Sequence, residues 1–99
     1  MAAVPKVFFR GALPAAKTVK YTVPNGKSAA VTNIVASNPG ANGSMVSVWI
    51  DGIPLIANVG LQANGLLTLD ISQAMSEGDT IEVQGNAIPA QVHISGAEF

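Results

Sequence analysis

The chain has 99 residues, enough for one domain and one core, with 48% hydrophobic residues, only 11% charged residues and a formal net charge of −1. Typical globular chains carry about 25% charged residues, so this composition points to surface buried against partners. A near-zero charge gives no global field to attract nucleic acid or membrane, and the absence of cysteine excludes a disulfide framework or a thiolate metal site.

The few charges are segregated. Lys6, Arg10, Lys17, Lys20 and Lys27 are all the basic residues, and all six acids lie from Asp51 onward. That distribution predicts a basic N-terminal edge able to meet an acidic surface, including that of a neighbouring copy. No apolar run approaches the ~20 residues of a membrane span. The first residues, Met1-Ala-Ala-Val-Pro-Lys6, lack the pattern of a signal peptide.

Residues 1–5 read as a loose start, and Lys6 to Leu13 as a short strand or an extended arm. Val7, Phe8 and Phe9 lie there between Lys6 and Arg10, bracketed by Pro5 and Pro14. As an arm, this segment would offer apolar anchors flanked by charge to an exposed sheet edge. Residues 1–16 are therefore read as an N-terminal extended arm or first strand, and 17–99 as a β-sandwich domain. Thr18 to Val23 alternates, with Val19, Tyr21 and Val23 on one side. Pro24-Asn-Gly-Lys27 is a tight turn in which Asn-Gly tolerates positive φ. Ala29 to Ser37 is a strand interrupted by Thr32 and Asn33, and 38–44 is a loop of turn formers.

Val46 to Val59 reads as a hairpin closed by Asp51-Gly52, the residues of a type I′ turn. The implied register sets Trp49 opposite Pro54, Val48 opposite Leu55 and Ser47 opposite Ile56. Alternation then gives a core face of Val46, Val48, Ile50, Ile53, Leu55 and Ala57. The other face carries Met45, Trp49 and Ile56, a candidate interface patch, since Trp is enriched among interface anchors. Beyond a loop at 60–65, Leu67, Leu69 and Ile71 point inward. Residues 72–78 read as one helical turn or a loop. Thr80 to Gln84 is a strand with Ile81 and Val83 inward, 85–89 is a turn, and Ala90 to Gly96 puts Val92 and Ile94 inward. The whole predicts an all-β, single-domain β-sandwich or jelly roll of about eight short antiparallel strands.

No chemistry emerges from the pattern. His93 is the sole histidine, on an outward face with no orienting partner in sequence. No serine has a nucleophile-elbow context. Glu77 and Asp79 flank a turn glycine and do not make a calcium loop. No glycine pattern suits phosphates. The expectation is no catalytic residue, no cofactor and no metal. The candidate interface residues are Lys6, Val7, Phe8, Phe9, Arg10, Met45, Trp49 and Ile56.

An ordered series of motifs does stand out: Tyr21-Thr-Val-Pro-Asn-Gly-Lys27, Val31-Thr-Asn-Ile-Val35, Asp51-Gly-Ile-Pro-Leu-Ile56, Leu67-Thr-Leu-Asp70, Gly78-Asp-Thr-Ile-Glu-Val83 and Ile94-Ser-Gly-Ala-Glu-Phe99. Over roughly residues 19–99 it resembles small structural proteins of tailed bacteriophages, which pair a "YTVP-x-GK" opening with a "GDTI" strand and an "ISG-x-E" ending. Members of that family are β-sandwich virion components, found as capsid decoration or cement proteins and as tail or baseplate parts, often as trimers. The resemblance implies a non-enzymatic capsid decoration protein in the virion, assembled in the host cytoplasm. Its implied partners are itself, as a homo-oligomer, expected to be a trimer, and the major capsid protein or another virion protein. No nucleic acid or membrane partner is implied. The alternative is a tail, collar or baseplate component contacting a neighbour or a host receptor. A carbohydrate-binding module would want more exposed aromatics than Trp49 and Tyr21 supply.

Overall fold

The computed structural model describes residues 3–86 and 90–99. They form eight strands: β1 (Val4–Ala12), β2 (Thr18–Thr22), β3 (Ala29–Ser37), β4 (Ser44–Ile50), β5 (Ile53–Leu61), β6 (Leu66–Met75), β7 (Thr80–Gln84) and β8 (Gln91–Glu98). The chain folds in half at Asp51-Gly52, where φ is 52° and 77°, both positive as a type I′ turn requires. From that turn the strands pair in nested order, β4 with β5, β3 with β6, β2 with β7 and β1 with β8, all antiparallel. Two more antiparallel pairings, β3 with β8 and β4 with β7, roll this ribbon into two sheets. Sheet A has the order β1-β8-β3-β6 and sheet B the order β2-β7-β4-β5. That winding is a jelly roll.

The core lies between the sheets. Val31, Ile34, Ala36, Val92 and Ile94 enter it from sheet A, and Val46, Val48, Ile81 and Val83 from sheet B, all fully buried. The strand phases read from alternation for β4, β7 and β8 are those observed. Leu67, Leu69 and Ile71 of β6 also point at the core as read. β-Bulges alter β1, β2, β3 and β5, because an extra residue on one strand shifts every later side chain to the opposite face. In sheet A three irregularities align beside Ser95: one at Phe8, one at Thr32 and one in β6 just after Asp70. This is why β3 buries Ala29 and Val31, then switches phase to bury Ile34 and Ala36. Next to this line, a Cβ on Gly96 would overlap the Ala30 carbonyl oxygen, so the close passage of β8 past β3 requires glycine there.

Sheet B carries its own shifts. The β2–β7 ladder slips between Val19 and Tyr21, leaving Val19 49% exposed where alternation placed it inside. The hairpin keeps Trp49 opposite Pro54, but Leu55 is then extra and Val48 meets Ile56. A second slip follows, so that Val46 meets Val59 in place of Ala57. Asn58, at φ 50°, occupies this bulge. The buried Ser47 hydroxyl holds it, accepting from the Asn58 N–H at 2.8 Å and donating to Asn58 Oδ1 at 3.1 Å. Ile56 is thereby turned into the core at 6% exposure. Its expected place on the outer face with Trp49 is corrected.

Other boundaries also move. Residues 72–75 continue β6 and make no helical turn, and β8 runs on to Glu98. The strand at the N-terminus begins at Val4 and pairs along its length with β8. The expected turn at 85–89 lies partly outside the described residues.

Candidate interaction surfaces

Residues of the Tyr21–Lys27, Gly78–Val83 and Ile94–Phe99 motifs meet at one end of the sandwich. The Tyr21 hydroxyl, on β2, donates to the Glu98 carboxylate, on β8, at 2.6 Å. Lys6 Nζ lies 3.4 Å from the same carboxylate and 5.8 Å from the centre of the Tyr21 ring. Phe8 packs on that ring, 4.6 Å between centroids. Around this cluster the Gly26 N–H donates to Glu77, Val23 exchanges backbone bonds with Gly78 and Asp79, and Phe99 exchanges them with Ser28. Burial, then the neighbouring carboxylate, pushes the Tyr21 phenol well above its ordinary pKa. The Tyr21 hydrogen bond, then the Lys6 charge, holds Glu98 below the usual carboxylate value. Tyr21 and Glu98 thus tie the two sheets together at this end.

A second surface is the outer face of sheet B. Val19, Glu82, Trp49 and Pro54 lie side by side across β2, β7, β4 and β5. Lys17 Nζ sits 4.5 Å over the half-buried Trp49 ring and 3.6 Å from Glu82. The 14–17 link covers the next stretch of this face: Gln84 donates to the Ala15 carbonyl and the Gly85 N–H to that of Pro14. Trp49 is therefore half-buried and braced by Lys17 of its own chain.

The outer face of sheet A carries two polar pairs. Arg10 Nε donates to His93 Nδ1 at 3.0 Å, and Asn33 Nδ2 to Asp70 at 3.0 Å. The first bond fixes His93 Nδ1 as an acceptor. Among the described residues, no three His, Cys, Asp or Glu side chains gather where a metal ion would sit.

The two flanks of the sandwich differ. At the β1/β2 flank, rings and cations bridge the sheets: Phe8 meets Tyr21, and Lys20 Nζ lies 5.1 Å from the Phe9 ring centre. At the β5/β6 flank, Leu55, Leu67, Leu69 and Ile71 point at the core but stay half-exposed. The hairpin end of this flank opens into a cleft of about 310 Å³ between Ile50, Ile53, Leu55 and Ala74, with Asp51 and Asp79 also lining it.

Comparison of this chain with family models, with curated proteins and with solved structures finds no match. The sequence-derived interface residues do not form one patch. Phe8 is in the core at 6% exposure and Phe9 packs against it, because the bulge turns both inward. They are corrected from docking anchors to structural residues. Val7 and Arg10 remain exposed on β1, with Lys6 paired to Glu98. Met45 and Trp49, both half-buried, lie on the other sheet. Sequence reasoning missed Asn38, buried to 1%. Its Nδ2 reaches the carbonyls of Asn42, Leu61 and Gln62 at 2.7–3.2 Å, and its Oδ1 accepts from the Gly40 N–H. It locks the 38–44 loop to the β5–β6 turn. An Asn starting a turn-former run was the only signal.

Proposed function

We propose that this protein is a non-enzymatic virion structural protein, a capsid decoration (cement) protein that binds the head surface as an oligomer and stabilises it. One observation carries the reading. Of the seven large apolar side chains most exposed among the described residues, six lie on the four edge strands: Val4 and Val7 on β1, Val19 on β2, Ile53 and Val59 on β5, and Leu66 on β6. Single soluble domains usually blunt their edges with charge. Apolar side chains on every edge suit a small sandwich whose edges meet other subunits. The jelly-roll winding, which recurs in viral capsid and lectin domains, is compatible with this and does not itself assign a function. The resemblance of the motif series to small structural proteins of tailed bacteriophages supports the same reading.

Co-sedimentation tests the proposal. Purified protein mixed with phage heads stripped of it should pellet with the heads and raise their resistance to heat or chelator. Protein that stays in the supernatant with heads, yet pellets with isolated tails, would transfer the assignment to the tail or baseplate.

A further inference from the structure

The two flanks of the sandwich are both apolar but differ in charge. The β1/β2 flank presents Val4, Val7 and Val19 among Arg10, Lys17 and Lys20. The β5/β6 flank presents Ile53, Val59 and Leu66, and no Lys or Arg lies beyond residue 27. Its nearest charges are Asp70 on β6 and the cleft carboxylates Asp51 and Asp79. Among the described residues β6 pairs only with β3, and from Leu66 to Asp70 that ladder runs without a slip, so its other edge is straight and unpaired there.

We infer that the β5/β6 flank is the docking site for the β1/β2 flank of a second copy of this chain. The inference deepens the oligomeric part of the reading above and rests on it. Charge decides the pairing. Two β1/β2 flanks face to face would oppose Arg10 and Lys20 with the same cations. Two β5/β6 flanks would oppose carboxylates with no base on either side. Crossing the flanks sets cations against carboxylates around an apolar strip, as complementary interfaces require. Such a contact is head-to-tail, so a closed assembly needs at least three copies, because a two-copy ring would be isologous.

The test uses two full-length variants. Val7→Glu with Val19→Glu disables the first flank, and Ile53→Glu with Leu66→Glu disables the second. All four positions are exposed, so thermal midpoints should stay close to wild type. By sedimentation, wild type should run as three or more chains of 10.1 kDa. Each variant alone should run as a monomer, and their equimolar mixture should recover a dimer, one intact flank meeting the other. A monomeric wild type, a variant that still self-associates, or a mixture that stays monomeric overturns the contact. A readout that makes milder changes uses the cysteine-free background. A mixture of Val19→Cys and Leu66→Cys chains should cross-link with a short bis-maleimide several-fold more than either alone; equal yields contradict the pairing. Wild type that is monomeric yet still pellets with heads would sink this contact and leave the virion reading standing. An oligomer that ignores heads, with the cross-links intact, would sink the virion reading alone.

Discussion

Tyr21 and Glu98, far apart in sequence and in different sheets, meet through a 2.6 Å hydrogen bond that closes one end of the sandwich. Glu98 also pairs with Lys6, so one carboxylate joins β1, β2 and β8.

This bond makes stability depend on pH at both extremes. Glu98 has a folded pKa below its ordinary 4.5, so its contribution is present above that value and lost as pH falls through the lowered one. Tyr21 has a folded pKa above its ordinary 10.0, so its contribution is present below that value and lost as pH rises beyond it. Denaturant unfolding across pH should show wild type falling towards both limits, and Tyr21→Phe less stable at neutral pH with shallower limbs. Tyr21 is the sole tyrosine, so ultraviolet titration of the native protein reports it alone. Ionisation at the ordinary pH would contradict the bond.

Core substitutions should rank by observed burial. Ile34→Ala, at a fully buried position, should cost about 2–5 kcal/mol. Leu69→Ala, on the half-open flank, should cost about 1–2 kcal/mol in the isolated chain. Equal losses in chemical denaturation would mean that the flank is closed in the free protein.

Asn38 should tolerate no near-isostere. Asn38→Asp replaces its donor with a carboxylate facing the Asn42, Leu61 and Gln62 carbonyls. Leaving buried polar groups unsatisfied costs about 1–3 kcal/mol and more when a charge is involved. The expected result is a lower melting temperature, with early hydrogen exchange in 38–44 and 61–65. Unchanged exchange there would argue against the lock.

Gly96→Ala should be among the most damaging single-methyl additions, since its Cβ has no room beside the Ala30 carbonyl and lies 3.0 Å from the Phe8 ring. Overpacking of this kind typically costs about 1–3 kcal/mol. A variant that melts like wild type would show that β8 is free to shift from β3.

The all-β class, the type I′ hairpin and the inward faces of β4, β7, β8 and the Leu67–Ile71 part of β6 were legible from alternation. The bulges were not. Val19, Ile56 and Ala57 were assigned to the wrong faces, since an extra residue at a slip reverses alternation and period-two reading cannot locate it. Ile53, read as inward, is 69% exposed beside the hairpin turn. The local hints were small: Asn58, tolerant of positive φ, and Thr32-Asn33 in an apolar strand. Phe8 and Phe9 resembled anchors of an arm because adjacent apolar residues fit no alternating strand. A bulge in β1 accommodates both on the core side. The flank-to-flank charge contrast follows from residue order, but needed the nested topology to become a surface.

We propose that this jelly roll works by assembly on a virion. The most direct measurement is a reconstruction of the intact particle at a resolution that shows strands. The account predicts density for this sandwich over junctions between capsid subunits, with its apolar edges against neighbours. A particle with no such density on the head, or one carrying this chain on the tail alone, would contradict it.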